Sequence, residues 1–258
     1  MTDTARYSLK HKVTSWVSKN LFDSVTYTVR NGLNKGLRRR GGLGWIPVDQ
    51  DNPEILFWKA LDLKGKVVYD IGAFHGLLTI YFARHADCVV AWEPNSRNRQ
   101  RLNENIKVNS YSNVIVRPYG LASKASKAQM TFDPLEPGTA SLDTGIALGE
   151  ENEIIELRTL DDEQGLKPPD LVKIDVEGFE LEVLRGAGRT LERKPDLFLE
   201  MHGADPEDKA RRVGAIVDHL WGSGYRNILH VETKLAITPQ NAQAAAQGHL
   251  YARAQAGC

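Results

Sequence analysis

Short apolar runs of strand length alternate with helix-like patterns over most of the chain beyond residue 50. The predicted strands of this alternating part are 66–71, 88–93, 113–118, 171–175 and 196–201. The predicted helices between and after them are 76–85, 96–108, 177–187 and a segment from Asp205-Pro206 to Trp221. Such alternation predicts an α/β fold, a parallel sheet with helices on both faces. Two last strands, at about 225–231 and 248–253, predict an antiparallel hairpin that closes the sheet.

Two regions depart from this rhythm. Apolar residues recur at helical spacing between Leu9 and Leu21, which predicts an amphipathic helix over about 4–22. Glycines from Gly41 to Gly44 follow as a flexible joint. We therefore separate a basic helical extension, residues 1–45, as a lid or docking segment from a main domain at 46–258.

Residues 119–169 form an insertion in the main domain, with polar turns and two short strands at about 128–132 and 154–158. We expect an irregular substrate loop there, because long irregular connections inside compact domains are usually functional.

Composition and charge restrict the partners and the location that we expect for the protein. The chain has 258 residues, 41% of them hydrophobic and 26% charged, with a formal net charge of zero. Its first forty residues are strongly basic, which indicates an anionic acceptor, a membrane surface or nucleic acid, or simply a solvated helix face. Two cysteines, Cys88 and Cys258, give no disulfide framework, and no apolar run reaches the ~18 residues of a membrane span. We expect a cytoplasmic protein without a transmembrane segment.

A glycine-bracketed turn follows the first strand of the alternating part. Its spacing, Asp70-x-Gly72-x-x-x-Gly76, differs from the dinucleotide pattern G-x-G-x-x-G, and no Ser/Tyr/Lys catalytic set is visible. Both observations disfavour a nicotinamide-dependent oxidoreductase. An acid at position 70 suits a cationic ligand such as S-adenosylmethionine, which carries an ammonium and a sulfonium. Glu93 ends the next apolar run, near the ~20-residue offset at which an acid meets ribose hydroxyls.

Further acidic residues and a histidine follow two later strands. Asp175 ends strand 171–175 and Glu177 follows it, whereas Glu200 lies at the end of strand 196–201 and His202 follows it. Because ligands bind beyond the carboxyl ends of parallel strands, we expect these side chains to meet Asp70 and Glu93 on one rim.

These motifs together resemble the FkbM family of S-adenosylmethionine-dependent methyltransferases over about residues 50–203. The matching stretches are Asp70-Ile71-Gly72-Ala73-x-x-Gly76, Glu93-Pro94-Asn95, Asn105 with Asn109, Thr139-Ala140-Ser141-Leu142, Thr159-Leu160-Asp161, Lys173-Ile174-Asp175-Val176-Glu177-Gly178-Phe179-Glu180, Val183-Leu184-Arg185-Gly186-Ala187, Pro195 and Glu200. The resemblance implies the Rossmann-like, seven-stranded class I methyltransferase sheet. It also implies O-methylation of a hydroxyl on a sugar, glycan or natural-product scaffold.

The resemblance also implies roles for individual residues. The cofactor residues would be Asp70, Gly72, Ala73, His75 and Gly76 for the methionine part, Glu93, Pro94 and Asn95 for the ribose, Gly120, Leu121 and Ala122 beside the adenine, and Asp175 near the sulfonium. Thr139 and Ser141, with His202, would lie near the acceptor. Phe74-His75 departs from the family, which often has Asn and a small or apolar residue there, and His75 is expected to face the cofactor's carboxylate.

Transfer of a methyl group to a hydroxyl requires alignment of the two reactants and removal of the hydroxyl proton. His202 is the best base by chemistry, with an ordinary pKa near ~6.5, and Asp175 or Glu177 could serve if burial raises its pKa. In a further alternative, Asp175, Glu200 and His202 bind Mg²⁺ or Mn²⁺, which would acidify the acceptor hydroxyl.

Two other functions stay open at this point. A methyltransferase acting on RNA ribose or another nucleic-acid position would explain the basic extension. However, the Asn-Pro-Pro-aromatic motif of many amino-group methylases is absent, so nucleic acid is not the expected partner. A non-catalytic module that binds S-adenosylmethionine or a protein partner is the other alternative.

Overall fold

The computed structural model describes residues 24–41, 52–133, 136–142 and 151–253; of residues 132–133, 136–142 and 151 it describes only the backbone. The helix predicted at 4–22 and most of the glycine joint lie outside these residues. The strands are β1 Thr26–Thr28, β2 Arg38–Arg40, β3 Val67–Ile71, β4 Cys88–Trp92, β5 Val114–Arg117, β6 Gly120–Leu121, β7 Ser126–Asp133, β8 Glu136–Leu142, β9 Glu151–Arg158, β10 Leu171–Ile174, β11 Asp196–Glu200, β12 Asn227–His230 and β13 His249–Arg253. The α-helices are α1 Pro53–Ala60, α2 Leu77–His85, α3 Ser96–Val108, α4 Glu180–Arg185, α5 Gly188–Glu192 and α6 Pro206–Gly222.

The main sheet has seven strands in the order β12-β13-β11-β10-β3-β4-β5. Pairings from β11 through β10, β3 and β4 to β5 are parallel, and β13 runs antiparallel to both of its neighbours. The predicted α/β class, the parallel core and the closing antiparallel hairpin are thereby confirmed. The carboxyl ends of β3, β4, β10 and β11 lie along one edge of this sheet.

Helices cover both faces of the sheet because its central strands are apolar on both sides. On one face α6 packs through Val213, Ile216, Val217 and Leu220 into the larger cluster of buried residues. On the other face, Trp58 of α1 packs with Phe82 of α2 and Phe198 of β11. Asn52 and Pro53 begin α1 as predicted, because the Asn52 side chain accepts a hydrogen bond from the amide of Ile55.

The insertion at 119–169 is more regular than predicted. It contains a four-stranded sheet in the order β6-β9-β7-β8. Met130, Ile155 and Leu157 form its buried side, whereas Ile154 is exposed. This alternation of inward and outward residues is that of a one-sided sheet. The interspersed charged residues and prolines concealed the pattern in the sequence.

The prediction of a helix at 177–187 is wrong in its bounds, because the observed helix is Glu180–Arg185. Glu177 and Gly178 both have positive φ angles, +52° and +98°, so the backbone turns before α4 begins at Glu180. A separate short helix, α5, follows Gly186.

A β-hairpin of β1 and β2 occupies the described part of the predicted helical extension. Its turn contains Gly32 and Gly36, both with positive φ. Because one of its strands consists of three arginines, the hydrophobic pattern could not reveal it.

Candidate functional site

A cavity of about 140 Å³ opens at the carboxyl edge of the main sheet. It is lined by Ile71, Gly72, Phe74, Trp92, Glu93, Pro94, Asn98, Gly120, Leu121, Met130, Asp175, Val176, Glu177 and Phe179. Among the expected site residues, those that line the cavity come from four separate stretches of the sequence: Gly72, Glu93, Pro94, Gly120, Leu121, Asp175 and Glu177. The small sheet of the insertion contributes Met130.

Gly72 is required by a close approach between β3 and the segment after β10. Its φ is +79°, and a Cβ atom there would lie 1.8 Å from the backbone oxygen of Asp175. Gly76 also has a positive φ and precedes α2, where a Cβ would meet the Leu102 side chain at 2.3 Å. The two glycines therefore shape the loop between the sheet and α2, which we call the cofactor loop (residues 72–76) after the role that the sequence predicts for it.

Asp70 does not face the cavity. Its side chain is fully buried and accepts a hydrogen bond of 2.6 Å from the Thr79 hydroxyl. Its other oxygen lies 3.4 Å from Nζ of Lys173. Thr79 and Lys173 are thus the contacts of Asp70 in this structure, and the expectation that Asp70 meets a ligand's ammonium stays a prediction.

Lys173 is a site residue that the sequence reasoning missed. Its buried ammonium donates a 2.8 Å hydrogen bond to the Gly72 carbonyl and lies 3.1 Å from Oδ2 of Asp175. Burial alone would lower the pKa of Lys173, but the carboxylates of Asp175 and Asp70 outweigh it and raise that pKa. Lys173 thus joins β3, the cofactor loop and Asp175, and a lysine inside an apolar strand was the available signal.

Glu93 connects the end of β4 to the cofactor loop. One carboxylate oxygen accepts a 2.8 Å hydrogen bond from the Phe74 amide and the other accepts 2.9 Å from the Asn95 amide. Burial raises the pKa of Glu93 to about 7, although both backbone hydrogen bonds act to lower it. The carboxylate lines the cavity, where a second lone pair on each oxygen could accept from hydroxyls.

Several other expected cofactor residues do not line the cavity. Asn95 begins α3, and its side chain accepts from the amides of Arg97 and Asn98. The ring of His75 stacks on Phe74 with centroids 3.7 Å apart. Ala73 and Ala122 are buried, and like Asn95, His75 and Gly76 they are not among the residues that line the cavity.

His202 is surrounded by carboxylates. Its Nδ1 lies 2.9 Å from Oε1 of the buried Glu180. Its Nε2 lies 3.8 Å from Asp175, 3.6 Å from Glu177 and 3.6 Å from Glu200. Burial alone would lower the pKa of His202, but the hydrogen bond to Glu180 and the nearby charges raise it to about 9. The imidazole therefore holds its proton near neutral pH, and it is poorly suited to accept another.

Glu177 has the better properties of a base in this cluster. It lines the cavity, and its pKa is raised to about 7 by burial, opposed by His202 and assisted by Asp175 and Glu200. A base whose pKa lies near the working pH is the most effective proton acceptor. Its left-handed backbone, φ +52°, is unusual for a side-chain-bearing residue and typical of functional turns.

The expected metal ligands also come together. Asp175, Glu200 and His202 can each offer one atom such that all three lie within 4.8 Å of one another. Two carboxylates and an imidazole suit Mg²⁺ or Mn²⁺ as a donor set. Glu200 contacts two histidines, because one of its oxygens lies near His202 and the other lies 3.8 Å from Nε2 of His249. A hydrogen bond to His249 lowers the pKa of Glu200.

Two further expectations concern the acceptor. Thr139 and Ser141 lie on β8, for which the structure describes only the backbone, so their contact with an acceptor stays a prediction. In the basic stretch, Arg38 donates to the carbonyl of Val108 at 3.5 Å and Arg40 lies 3.5 Å from Glu104. Both partners belong to α3, so these arginines hold the basic stretch against that helix.

The seven-stranded sheet and a cavity at its carboxyl edge define the class: a Rossmann-like, class I methyltransferase fold. The family model described as the methyltransferase FkbM domain matches residues 70–227. The chain belongs to the FkbM methyltransferase family.

Individual relatives agree with this assignment. The chain is 32% identical over 173 residues to the hexuronic acid methyltransferase AglP of Haloferax volcanii, covering 58% of this chain and 69% of that protein. It is 28% identical over 142 residues to methyltransferase 1 of Beauveria bassiana, covering 46% and 57% of the two chains. A solved FkbM methyltransferase from Methylobacillus flagellatus matches 79% of this chain with a TM-score of 0.52 at 19% identity. This chain spans about half, 48%, of the length of that protein.

Among the described residues, no helix combines the length and the apolar character needed to cross a membrane.

Proposed function

We propose that the chain is an S-adenosylmethionine-dependent O-methyltransferase that methylates a hydroxyl of a sugar or natural-product scaffold. The observation that carries the proposal is the composition of the cavity. Apolar walls, a buried glutamate and an acidic cluster surround one space beside the cofactor loop. Each of these matches a different part of S-adenosylmethionine.

The apolar wall formed by Leu121, Met130 and Phe179 suits a flat base such as adenine. Glu93 at the end of β4 suits the two hydroxyls of the ribose. Neither role needs Asp70 at the ligand, because Asp70 acts through Lys173 on the cofactor loop.

The charge of the acidic cluster suits the reacting end of the cofactor. Asp175, Glu177 and Glu200 surround the cationic His202, and Lys173 pairs with Asp175. The carboxylates outnumber the two cations, so the net field attracts the sulfonium and ammonium groups of the cofactor.

Methyl transfer is an in-line displacement, in which the acceptor oxygen bonds to the methyl carbon as the carbon–sulfur bond breaks. The sulfonium becomes a neutral thioether, and the hydroxyl proton must leave the acceptor. We assign this proton to Glu177, whose pKa of about 7 allows it to accept a proton near neutral pH. His202 then keeps its own proton and holds the carboxylates in place.

Divalent-cation assistance is the alternative for this step. Asp175, Glu200 and His202 would hold the ion, and the ion would lower the pKa of the acceptor hydroxyl. Turnover measured in rigorous chelation, and again after addition of Mg²⁺ or Mn²⁺, separates the two mechanisms.

The sugar acceptor is supported by the relative named as a hexuronic acid methyltransferase. A hexuronic acid offers both hydroxyl and carboxylate oxygens, and methylation of the first gives an ether and of the second an ester. We favour the ether, because a carboxylate acceptor would be repelled by Asp175, Glu177 and Glu200.

The experiment is a screen of sugars, nucleotide sugars, uronic acids and RNA with isotope-labelled methyl donor. The proposal expects a labelled sugar product that survives mild alkali. A product hydrolysed by alkali would show ester formation, and label in RNA alone would contradict the sugar proposal.

A further inference from the structure

The β1–β2 hairpin is attached to α3 by two asparagines spaced one helical turn apart. The Asn109 side chain accepts from the Arg38 amide at 2.8 Å and donates to the Arg38 carbonyl at 2.7 Å. The Asn105 side chain accepts from the Arg40 amide at 2.8 Å. Residues four apart on a helix share a face, and residues two apart on a strand share an edge, so the two spacings match.

Further contacts hold the hairpin against α2. Leu37 is buried, and Leu33 packs against the cluster of apolar residues beneath the sheet. The Asn34 side chain donates 2.9 Å to the carbonyl of Leu77, the first residue of α2. Arg84 of α2 donates 3.0 Å to the Lys35 carbonyl. The hairpin therefore bridges the two helices that follow the cofactor loop and β4.

Asn105 alone of the two asparagines also reaches the cofactor loop. Its amide donates a 2.8 Å hydrogen bond to the His75 carbonyl, and its side chain is fully buried. Its acceptor and donor groups thus join the hairpin to the loop. The Asn109 amide instead donates to the backbone oxygens of Arg38 and Asn105.

We propose that Asn105 is a positioning residue that links the docked hairpin to the cofactor loop. The loop has its binding conformation only while the Asn105 amide holds the His75 carbonyl. This inference rests on the proposed S-adenosylmethionine-dependent function, because it assigns that ligand to the loop. It gives a role to the Asn105 and Asn109 pair that the catalytic argument does not use.

The physical basis is the cost of unsatisfied buried groups. Removal of the Asn105 side chain leaves the His75 carbonyl and the Arg40 amide without this partner. A buried polar group without its partner is unfavourable, so the loop must rearrange to find another. A rearranged loop must then be reordered when the cofactor binds.

The test compares Asn105→Ala with Asn109→Ala in calorimetric titrations with S-adenosylhomocysteine. Asn105→Ala is expected to raise Kd by about tenfold, which corresponds to the loss of roughly one buried hydrogen bond. Asn109→Ala, which removes two hairpin contacts but none to the loop, is expected to stay within about threefold of the unsubstituted protein. Both should lower the melting temperature.

Kinetics add a readout that a purely structural role would not change. Since the loop contacts the cofactor equally before and during reaction, KM for S-adenosylmethionine should rise in Asn105→Ala with little change in kcat. Hydrogen exchange of the amides of 72–78, measured without ligand, should be faster in Asn105→Ala and unchanged in Asn109→Ala.

A Kd for Asn105→Ala within twofold of the unsubstituted protein would overturn the inference, as would unchanged exchange of the loop. If Asn105→Ala fails to fold, Asn105→Asp at alkaline pH keeps the acceptor for Arg40 and removes the donor to His75, with the same expected loss of affinity. Absence of any S-adenosylhomocysteine binding by the unsubstituted protein would instead contradict the proposed function. The exchange comparison, which needs no ligand, would still decide the role of Asn105.

Discussion

Replacement of Glu177 by glutamine tests the assignment of the proton acceptor. The substitution keeps the size of the side chain and removes its basicity. A positioned general base contributes about 10²- to 10⁴-fold to the rate, so we expect kcat to fall by at least about 100-fold. The affinity for S-adenosylhomocysteine should change by less than about threefold, because its thioether lacks the sulfonium charge that the acidic cluster attracts, and Asp175 and Glu200 remain.

The pH profile gives the sharper evidence. Only ionised Glu177 can accept the proton, so kcat of the unsubstituted enzyme should rise with pH and level off above about 7. Glu93 also has a pKa of about 7, but it is assigned to cofactor binding. Measurement of kcat at saturating S-adenosylmethionine therefore isolates Glu177.

Glu156→Gln is the matched control, because Glu156 is exposed and pairs with Arg158 on the small sheet. It should leave kcat and the pH profile unchanged. Retention of more than about half of kcat by Glu177→Gln, or an unchanged rising limb, would refute the assignment of Glu177 as the base.

The remaining predictions concern the stability of the fold, the divalent cation and the small sheet beside the cavity. Lys173→Met should lower the free energy of unfolding by about 3–5 kcal/mol, because it leaves the buried Asp70 carboxylate without its cation, and denaturant unfolding measures this loss. For Glu93 the folded pKa of about 7 lies above the ordinary value of 4.5, so its stabilising contribution is complete below pH 4.5 and is lost as pH rises through 7. This loss of stability is at most about 3 kcal/mol. Denaturant titrations at pH 5 and 8 should therefore show a smaller difference in the free energy of unfolding for Glu93→Gln than for the unsubstituted protein. Turnover should survive rigorous chelation if Glu177 alone accepts the proton, whereas loss of turnover restored by Mg²⁺ or Mn²⁺ would favour the metal alternative. Glu153 of β9 accepts hydrogen bonds from the Asn95 side chain and the Ser96 amide, and so holds the small sheet at the cavity. Glu153→Ala should therefore raise KM for the methyl donor, and an unchanged KM would contradict this role.

The main sheet could be predicted from the sequence because each of its features has a local cause. Apolar runs marked the central strands, and helix 96–108 was placed at its observed bounds. The acids at strand ends were predicted to converge because parallel strands share one edge, and Glu93, Asp175 and Glu177 do line one cavity.

The pairing of buried charges could not be predicted in the same way. Asp70 was expected at the ligand, but its partners are Thr79, on the next helix, and Lys173, on a strand a hundred residues away in the chain. Likewise, the protonated state of His202 depends on Glu180, which the sequence presents only as one acid among several. These are tertiary contacts, and no local pattern encodes them.

The hairpin was missed, and only two strands of the small sheet were predicted, at about 128–132 and 154–158, for a different reason. Their strands carry many charged or small residues and bury few side chains, so the hydrophobic alternation is weak. The Asn105 and Asn109 pair was visible as a motif, but its role required the position of the hairpin.

The most direct test of the account is calorimetric titration of the purified protein with S-adenosylhomocysteine, beside NADH and a Glu93→Ala variant. The account predicts micromolar binding of S-adenosylhomocysteine, no binding of NADH, and a loss of affinity of at least about tenfold in Glu93→Ala, which lacks the carboxylate assigned to the ribose. Absence of S-adenosylhomocysteine binding, or an affinity unaffected by Glu93→Ala, would contradict the placement of the cofactor in this cavity.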